Sequence, residues 1–278
     1  MDILTVDSRN FAARDILECG QVFRFLKIDD KTYQVIAGDN IARITEDNGE
    51  IKILSNNSKF FREYFDLSTD YGKIINKLVL VNPLMQKAVK FGSGIRILKQ
   101  DPYETLISFI ISQNNHIPRI KGIIERLCEN LGEKYEFLDK VYYGFPSPEK
   151  MAKMPIGFYK KIGAGYRAEY LEKTSRAVAE GFDLDKIFDI KSDDARKYLC
   201  TLHGVGPKVA DCILLFSYYR QDVFPVDTWM KKVYFDYFDK SFFDTQKISK
   251  YFIEIFKELS GYAQQYLFYY KRSLKKEN

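Results

Sequence analysis

The chain has 278 residues, enough for one large domain or two to three smaller ones, each with its own core. With 46% hydrophobic and 29% charged residues, 16 glycines and 8 prolines, it is neither a disordered nor a collagen-like polymer. The formal net charge is +5 but unevenly spread: residues 1–50 carry 6 basic and 10 acidic side chains, so any polyanion footprint lies later in the chain.

The chain opens on Met1-Asp2-Ile3-Leu4-Thr5-Val6-Asp7, with two acids and no basic stretch ahead of an apolar run, so no secretory signal is expected and the cytoplasm is the expected compartment. Between Gln21 and Ser55, apolar and polar residues alternate in short runs at 22–25, 32–36, 41–44 and 51–54. The connectors Asp29-Asp30-Lys31, Gly38-Asp39-Asn40 and Asp47-Asn48-Gly49 carry the residues of tight turns, so an antiparallel meander is predicted. From about Lys59 the period becomes helical. Asp101-Pro102-Tyr103-Glu104 places a capping aspartate, a proline at the first helical position and an acid in the first turn, which predicts a helix through Ile111. Helices are also predicted over 117–131, 167–180 and 245–259, with Gly122, Gly132, Gly163, Gly165, Gly181 and Gly261 as punctuation, so everything after about residue 100 reads as helical. The basic tail from Lys271-Arg272 to Lys275-Lys276 is expected to fray.

The most informative stretch is Leu202-His203-Gly204-Val205-Gly206-Pro207-Lys208-Val209-Ala210-Asp211-Cys212, between a helical pattern over 193–200 and the apolar run Cys212–Phe216. That run is far short of the roughly 20 apolar residues a membrane span needs, and no other is longer. The pattern is helix, glycine hairpin, helix. Gly204, Val205 and Gly206 would expose backbone N–H groups beside a helix N-terminus, where phosphate oxygens bind readily, although such a turn can equally be a plain connector. Pro207 suits the first helical position, which puts Lys208 in the first turn, where the helix dipole opposes a positive charge by roughly 0.3–1 kcal/mol. A nucleophilic amine must be neutral, and at an unperturbed pKa only about 0.04% is neutral at pH 7; dipole and partial burial are expected to lower the Lys208 pKa. The plainer alternative is a solvated lysine touching phosphate. Asp227, after the extended Pro225-Val226, is placed to cap the next helix, and its fixed negative charge would suit an oxocarbenium ion at a sugar carbon. Lysine nucleophile and carboxylate together suit N-glycosidic bond cleavage through a Schiff base. Cys19, Cys128, Cys200 and Cys212 form no C-x-x-C pair and the two histidines, His116 and His203, are far apart, which argues against zinc and iron–sulfur sites.

With these residues in place the sequence resembles the helix-hairpin-helix DNA glycosylase superfamily, and specifically its 8-oxoguanine DNA glycosylase branch. The resemblance extends over most of the chain through Gly20-Gln21-Val22-Phe23-Arg24, Ser112-Gln113-Asn114-Asn115-His116-Ile117-Pro118-Arg119, Gly165-Tyr166-Arg167-Ala168 and Gly261-Tyr262-Ala263-Gln264-Gln265-Tyr266-Leu267-Phe268. It implies an α+β protein: an antiparallel sheet domain with flanking helices at 1–100, a helical domain at 101–260 carrying the hairpin and the aspartate, and a last helix at 261–278 returning to the pocket. It implies a bifunctional glycosylase and lyase acting on 8-oxoguanine in duplex DNA, with Lys208 and Asp227 catalytic. The damaged nucleotide would be extruded and read in a pocket. The Gly20 carbonyl would accept from N7–H, which guanine lacks, Gln264 would meet the Watson–Crick edge, and Phe268 and Cys212 would flank the base. Arg119 and Arg167 would bond the estranged cytosine, Asn114 would fill the vacated space and Tyr166 would wedge the opposite strand. The resemblance further implies a monomer that needs no cofactor, with a monovalent cation conceivable at the hairpin carbonyls. No cysteine follows Cys212, so the four-cysteine array of the cluster-bearing relatives is absent and no iron–sulfur cluster is expected. The chain departs from the family pattern at Trp229, where many relatives have histidine, at His116, where asparagine is familiar, and at Gln113, where serine is. Two rival readings stay open at this point: a monofunctional alkylbase glycosylase using Asp227 alone, and a non-enzymatic helix-hairpin-helix DNA-binding module.

Overall fold

A computed structural model describes residues 1–274 of the chain. Strand β1 (Asp2–Asp7) leads to the short helix α1 (Ala13–Glu18), followed by β2 (Phe25–Lys27), β3 (Thr32–Ala37), β4 (Asn40–Asp47) and β5 (Glu50–Ser55). The five strands form one antiparallel sheet in the order β1-β5-β4-β3-β2. The predicted meander is therefore present, with an N-terminal strand added along the edge of β5 in the register Asp2↔Ser55 to Asp7↔Glu50. Tight hairpins hold the register. Asn48 and Gly49 both adopt positive φ (48° and 81°), as a two-residue turn with the twist of its strands requires. Strand pairing begins at Phe25 and not at Val22, because the preceding residues are pinned by side chains. Gln21 donates to the carbonyls of Ile16 (2.9 Å) and Arg96 (2.8 Å) and accepts from the amide of Leu98 (2.9 Å). Arg24 donates to Gly38 O (3.2 Å) and pairs with Glu104 (3.3 Å). The inner face of the sheet, with Val35, Ile44, Ile51 and Ile53, packs on Ile16, Leu17, Phe61, Phe65 and Leu98.

Three helices follow, α2 (Ser58–Tyr64), α3 (Tyr71–Val81) and α4 (Pro83–Phe91). Only the first joins the core of the sheet. Leu78, Met85 and Ala88 belong to the large core of the helical part instead, whereas Leu98 returns to the core of the sheet. In α5 (Pro102–Ser112), Asp101 Oδ1 accepts from the Glu104 amide at 2.7 Å, as its capping position predicts. Residues Tyr103–Ile111 of this helix are buried on all sides, and it forms the spine of the second core. Helix α6 (Ile117–Leu131) contains Gly122 in its interior, so that glycine does not punctuate.

The expectation of an all-helical remainder fails at one place. Strands β6 (Lys134–Phe137) and β7 (Lys140–Tyr143) form a hairpin whose turn, Leu138-Asp139, takes positive φ at both positions without a glycine. Helices α7 (Pro148–Ala152), α8 (Ile156–Lys161), α9 (Arg167–Ala179), α10 (Ser192–Leu199), α11 (Pro207–Phe216), α12 (Thr228–Tyr237), α13 (Thr245–Phe256) and α14 (Ser260–Ser273) complete the fold. Gly261 lies inside the first turn of α14. A Cβ there would stand 2.4 Å from Leu215 Cδ1, so the glycine serves close packing of α14 on α11 and not helix termination. Lys271 and Arg272 do not fray: they form the last turn of α14, and Lys271 pairs with Asp236 at 2.7 Å. Lys275 and Lys276 lie outside the described residues. Among the described residues, no helix is long and apolar enough to cross a membrane.

Candidate active site

The site is built around the turn between α10 and α11. Gly204 has φ +84°, and a Cβ there would come within 2.5 Å of the Tyr170 ring, so both conformation and space require glycine. Its carbonyl accepts from Gln113 Nε2 at 2.8 Å. Val205 turns inward: its side chain is buried and its amide donates to Leu202 O at 3.1 Å, which removes it from the phosphate-contacting set the sequence suggests. Gly206 occupies the N-cap of α11 with Pro207 at the first position; no side chain caps this N-terminus, and open space faces the glycine. Its uncapped first turn is an electropositive end suited to an anion. With the Leu202 and Gly204 carbonyls already accepting N–H donors, the hairpin is largely satisfied by the protein itself. Among the described residues, no group of His, Cys, Asp or Glu is arranged to hold a metal ion.

Lys208 projects into a cleft of about 50 Å³ that Gly20, Phe109, Cys212, Asp227, Gln264 and Phe268 also line. Cys212 follows Lys208 by one turn of α11, and Lys208 Nζ lies 5.4 Å from the centre of the Phe109 ring. Asp227 caps α12 as predicted: its Oδ1 accepts from the amides of both Trp229 and Met230 at 2.9 Å. Burial favours a neutral Lys208, but the neighbouring Cys212 side chain and the Asp227 carboxylate outweigh it and hold the ammonium above the ordinary lysine value, the reverse of the expected direction. Burial in turn pushes the Cys212 thiol up to about 11 against the pull of Lys208, so Cys212 is a neutral thiol at physiological pH.

The rest of the cleft comes from the two ends of the chain. Gly20 has φ +89°, and a Cβ on it would stand 3.1 Å from Phe268 Cε1 and 2.9 Å from Arg272 Nη1. Gln264 and Phe268, four residues apart on α14, face the cleft from one side of the helix. Gln264 is 5% exposed, and its Oε1 is buried without a hydrogen-bond partner. Such an orphan costs about 1–3 kcal/mol unless something polar enters to meet it.

A second group of residues forms an exposed edge beside the hairpin. Asn114 (φ +46°) and Arg119 are exposed, as is Tyr166, whose hydroxyl donates to Gln113 O at 3.2 Å; Arg119 Nη2 donates to Gly163 O at 3.1 Å. Arg167 differs from its sequence-based expectation. It is 1% exposed, with its guanidinium donating to Gln113 O (2.8 Å), Asn114 O (2.9 Å) and Ala164 O (3.3 Å). A guanidinium so engaged holds the backbone that presents Asn114 and is not itself at the surface. His116 caps α6, its Nδ1 accepting from the Arg119 amide at 3.4 Å, a task asparagine also performs. Sequence reasoning missed Phe109, one of several apolar residues of a helix buried on all sides, and the grips made by Gln113, Gln265 and Arg272 on backbone carbonyls, which leave no trace in residue spacing.

A glycine hairpin feeding a helix that carries a cleft lysine, opposed by a helix-capping aspartate, defines a helix-hairpin-helix protein of the DNA glycosylase type. Comparison with known proteins agrees. Residues 3–106 match the N-terminal domain of 8-oxoguanine DNA glycosylase, and residues 107–258 match the HhH-GPD superfamily of base excision DNA repair proteins. The chain is 39% identical to the Clostridium acetobutylicum 8-oxoguanine glycosylase/lyase solved with duplex DNA containing cytosine opposite 8-oxoguanine, with 99% of each chain covered and a TM-score of 0.93. A probable N-glycosylase/DNA lyase of Methanothermobacter thermautotrophicus is 33% identical over 64% of each chain. An N-glycosylase/DNA lyase of Saccharomyces cerevisiae is 37% identical over 50% of this chain and 41% of its own. The alignments thus span less than two thirds of these two curated relatives. The chain belongs to the HhH-GPD superfamily of base excision DNA repair proteins, in its 8-oxoguanine DNA glycosylase branch.

Proposed function

We propose that this chain excises 8-oxoguanine from duplex DNA and then cleaves the strand as an AP lyase, with no cofactor required. The observation that carries this reading is the convergence of Lys208, Asp227, Cys212, Gly20, Gln264 and Phe268 on one cleft beside an uncapped helix N-terminus. An extruded purine slides between Phe268 and Cys212. Its N7–H donates to the Gly20 carbonyl, and its Watson–Crick edge meets the unpartnered Gln264 amide oxygen. Gly206 and the first turn of α11 receive a backbone phosphate, which sets C1′ before Lys208. The ammonium gives up its proton, the Nζ lone pair attacks C1′, and the N9–C1′ bond breaks with its electrons leaving on the base, which takes up the proton that the lysine lost. Asp227 opposes the positive charge that develops on the sugar. Ring opening gives the Schiff base; loss of a C2′ proton then expels the 3′ phosphate, and hydrolysis frees the lysine. Asn114, Arg119 and Tyr166 stand at the exposed edge where the estranged base and opposite strand would lie.

Borohydride trapping tests this with duplexes bearing one 8-oxoguanine opposite each of the four bases, an undamaged duplex and the Lys208→Gln variant. Lesion-dependent crosslinking that vanishes in Lys208→Gln, with binding retained, is expected. Base release without crosslinking would indicate a monofunctional glycosylase, and binding without release a DNA-binding module.

A further inference from the structure

Helix α1 has six residues, and the carbonyls at its C-terminal end lie beyond the reach of its own amides. Three carbonyls at this end are met by side chains. Ile16 O accepts from Cys19 Sγ (3.1 Å) and Gln21 Nε2 (2.9 Å), Cys19 O accepts from Gln265 Nε2 (2.9 Å), and Glu18 O accepts from Arg272 Nη2. Two of these donors, Gln265 and Arg272, come from α14. They are seven residues apart, two full turns, and so lie on one stripe of that helix. Arg272 also follows Phe268 by four residues, which places it directly below the ring that faces the cleft.

Arg272 thus touches three things at once. One guanidinium nitrogen holds the carbonyl two residues before Gly20. The other lies against the bare face of Gly20, 2.9 Å from where a Cβ would stand. The guanidinium carbon lies 5.2 Å from the centre of the Phe268 ring, within cation–π range. The two walls of the base slot, the Gly20 backbone and the Phe268 ring, are therefore tied to a common group. The rest of α14 is anchored without it: Gln265 by Cys19 O, Lys271 by Asp236, and Tyr269 by Asp15 at 3.3 Å.

We propose that Arg272 is a positioning residue for base recognition, fixing the gap between the Gly20 carbonyl and the Phe268 ring. This role rests on the 8-oxoguanine reading above. Lysine would keep the charge but not the flat group that bonds a carbonyl and lies along a ring together.

The test compares wild type, Arg272→Ala and Arg272→Lys on two substrates, a duplex with 8-oxoguanine opposite cytosine and the same duplex with a preformed abasic site. The abasic substrate needs Lys208 but no base slot. In Arg272→Ala the KM for 8-oxoguanine release should rise about tenfold, a part of what one charged hydrogen bond and one cation–π contact contribute to the slot's geometry, with strand cleavage at the abasic site unchanged. Arg272→Lys should fall between the two. Parallel loss on both substrates would show a merely structural role, and unchanged base release in both variants would show none; either overturns the proposal. A wild type that cuts abasic DNA but releases no 8-oxoguanine would instead overturn the reading on which it rests.

Discussion

Replacing Gly20 with alanine tests the base slot at its tightest point. At φ +89° an L side chain costs roughly 1–2 kcal/mol in backbone strain. The added methyl would also stand 2.9 Å from Arg272 Nη1 and 3.1 Å from Phe268 Cε1, tighter than ordinary contact. The arginine tip can swing aside, whereas the Phe268 ring must withdraw by a few tenths of an ångström, and the turn carrying the Gly20 carbonyl must shift with it. A hydrogen bond from the base N7–H is lost or stretched, which at about 1–3 kcal/mol is a roughly 5–150-fold fall in lesion excision. Guanine has no N7 proton to donate, so the ratio of lesion to guanine excision falls as well. Single-turnover base release on both duplexes measures this, and chemical denaturation measures the folding cost of about 1–2 kcal/mol separately. Unaltered discrimination in a variant that shows the folding cost would refute the assignment of Gly20 as the reader of N7–H.

Arg167→Ala should lower stability by about 3–5 kcal/mol in urea, because it strands the buried carbonyls of Gln113, Asn114 and Ala164. A variant as stable as wild type, weakened only in DNA binding, would show that the guanidinium serves the DNA alone. Asp211 is 4% exposed and bonded to Arg196 at 2.5 Å, and burial pushes its carboxyl up to about 6. The folded state therefore favours the protonated carboxyl: its stabilising contribution is complete below pH 3.8 and is lost as pH rises through about 6. Relative to Asp211→Asn, wild type should lose on the order of 3 kcal/mol over that window, and parallel stability profiles would refute the shift. Since Lys208 is held protonated by its neighbours, trapping should accelerate steadily between about pH 6 and 9 as the neutral amine becomes more abundant. A flat profile on pre-bound DNA would mean that proton loss is not needed before attack.

What the sequence disclosed of the fold depended on how local the cause was. Asp101 and Asp227 cap their helices where side-chain chemistry and the next few residues require it, and Asn48-Gly49 turns as its dipeptide predicts. Strand β1 was illegible because its partner lies some fifty residues away and no turn joins them. The β6–β7 hairpin was missed because Leu138-Asp139 adopts a glycine-like conformation without glycine. That helices α3 and α4 pack in the core of the helical part was not legible, because an amphipathic pattern tells which face is buried but not against what.

The candidate site follows the same division, with a physical reason at each miss. Groups that would touch DNA or base were legible, because each is a residue type suited to its chemistry in a spaced pattern. Groups that position them were not, because they act on backbone carbonyls: Gln113 on Gly204, Arg167 on the Asn114 loop, Gln265 and Arg272 on the end of α1. Every residue carries such an acceptor, so spacing cannot reveal which one is taken. The sign of the Lys208 shift was misread for a related reason. A helix N-terminus opposes a cation by only about 0.3–1 kcal/mol, which neighbouring groups in a half-buried cleft can outweigh. The dipole is visible in the order of residues, but the approach of Asp227 exists only once α11 and α12 have packed. Lys208 therefore rests as an ammonium, favoured by the Cys212 side chain and by the carboxylate that would later oppose the sugar cation.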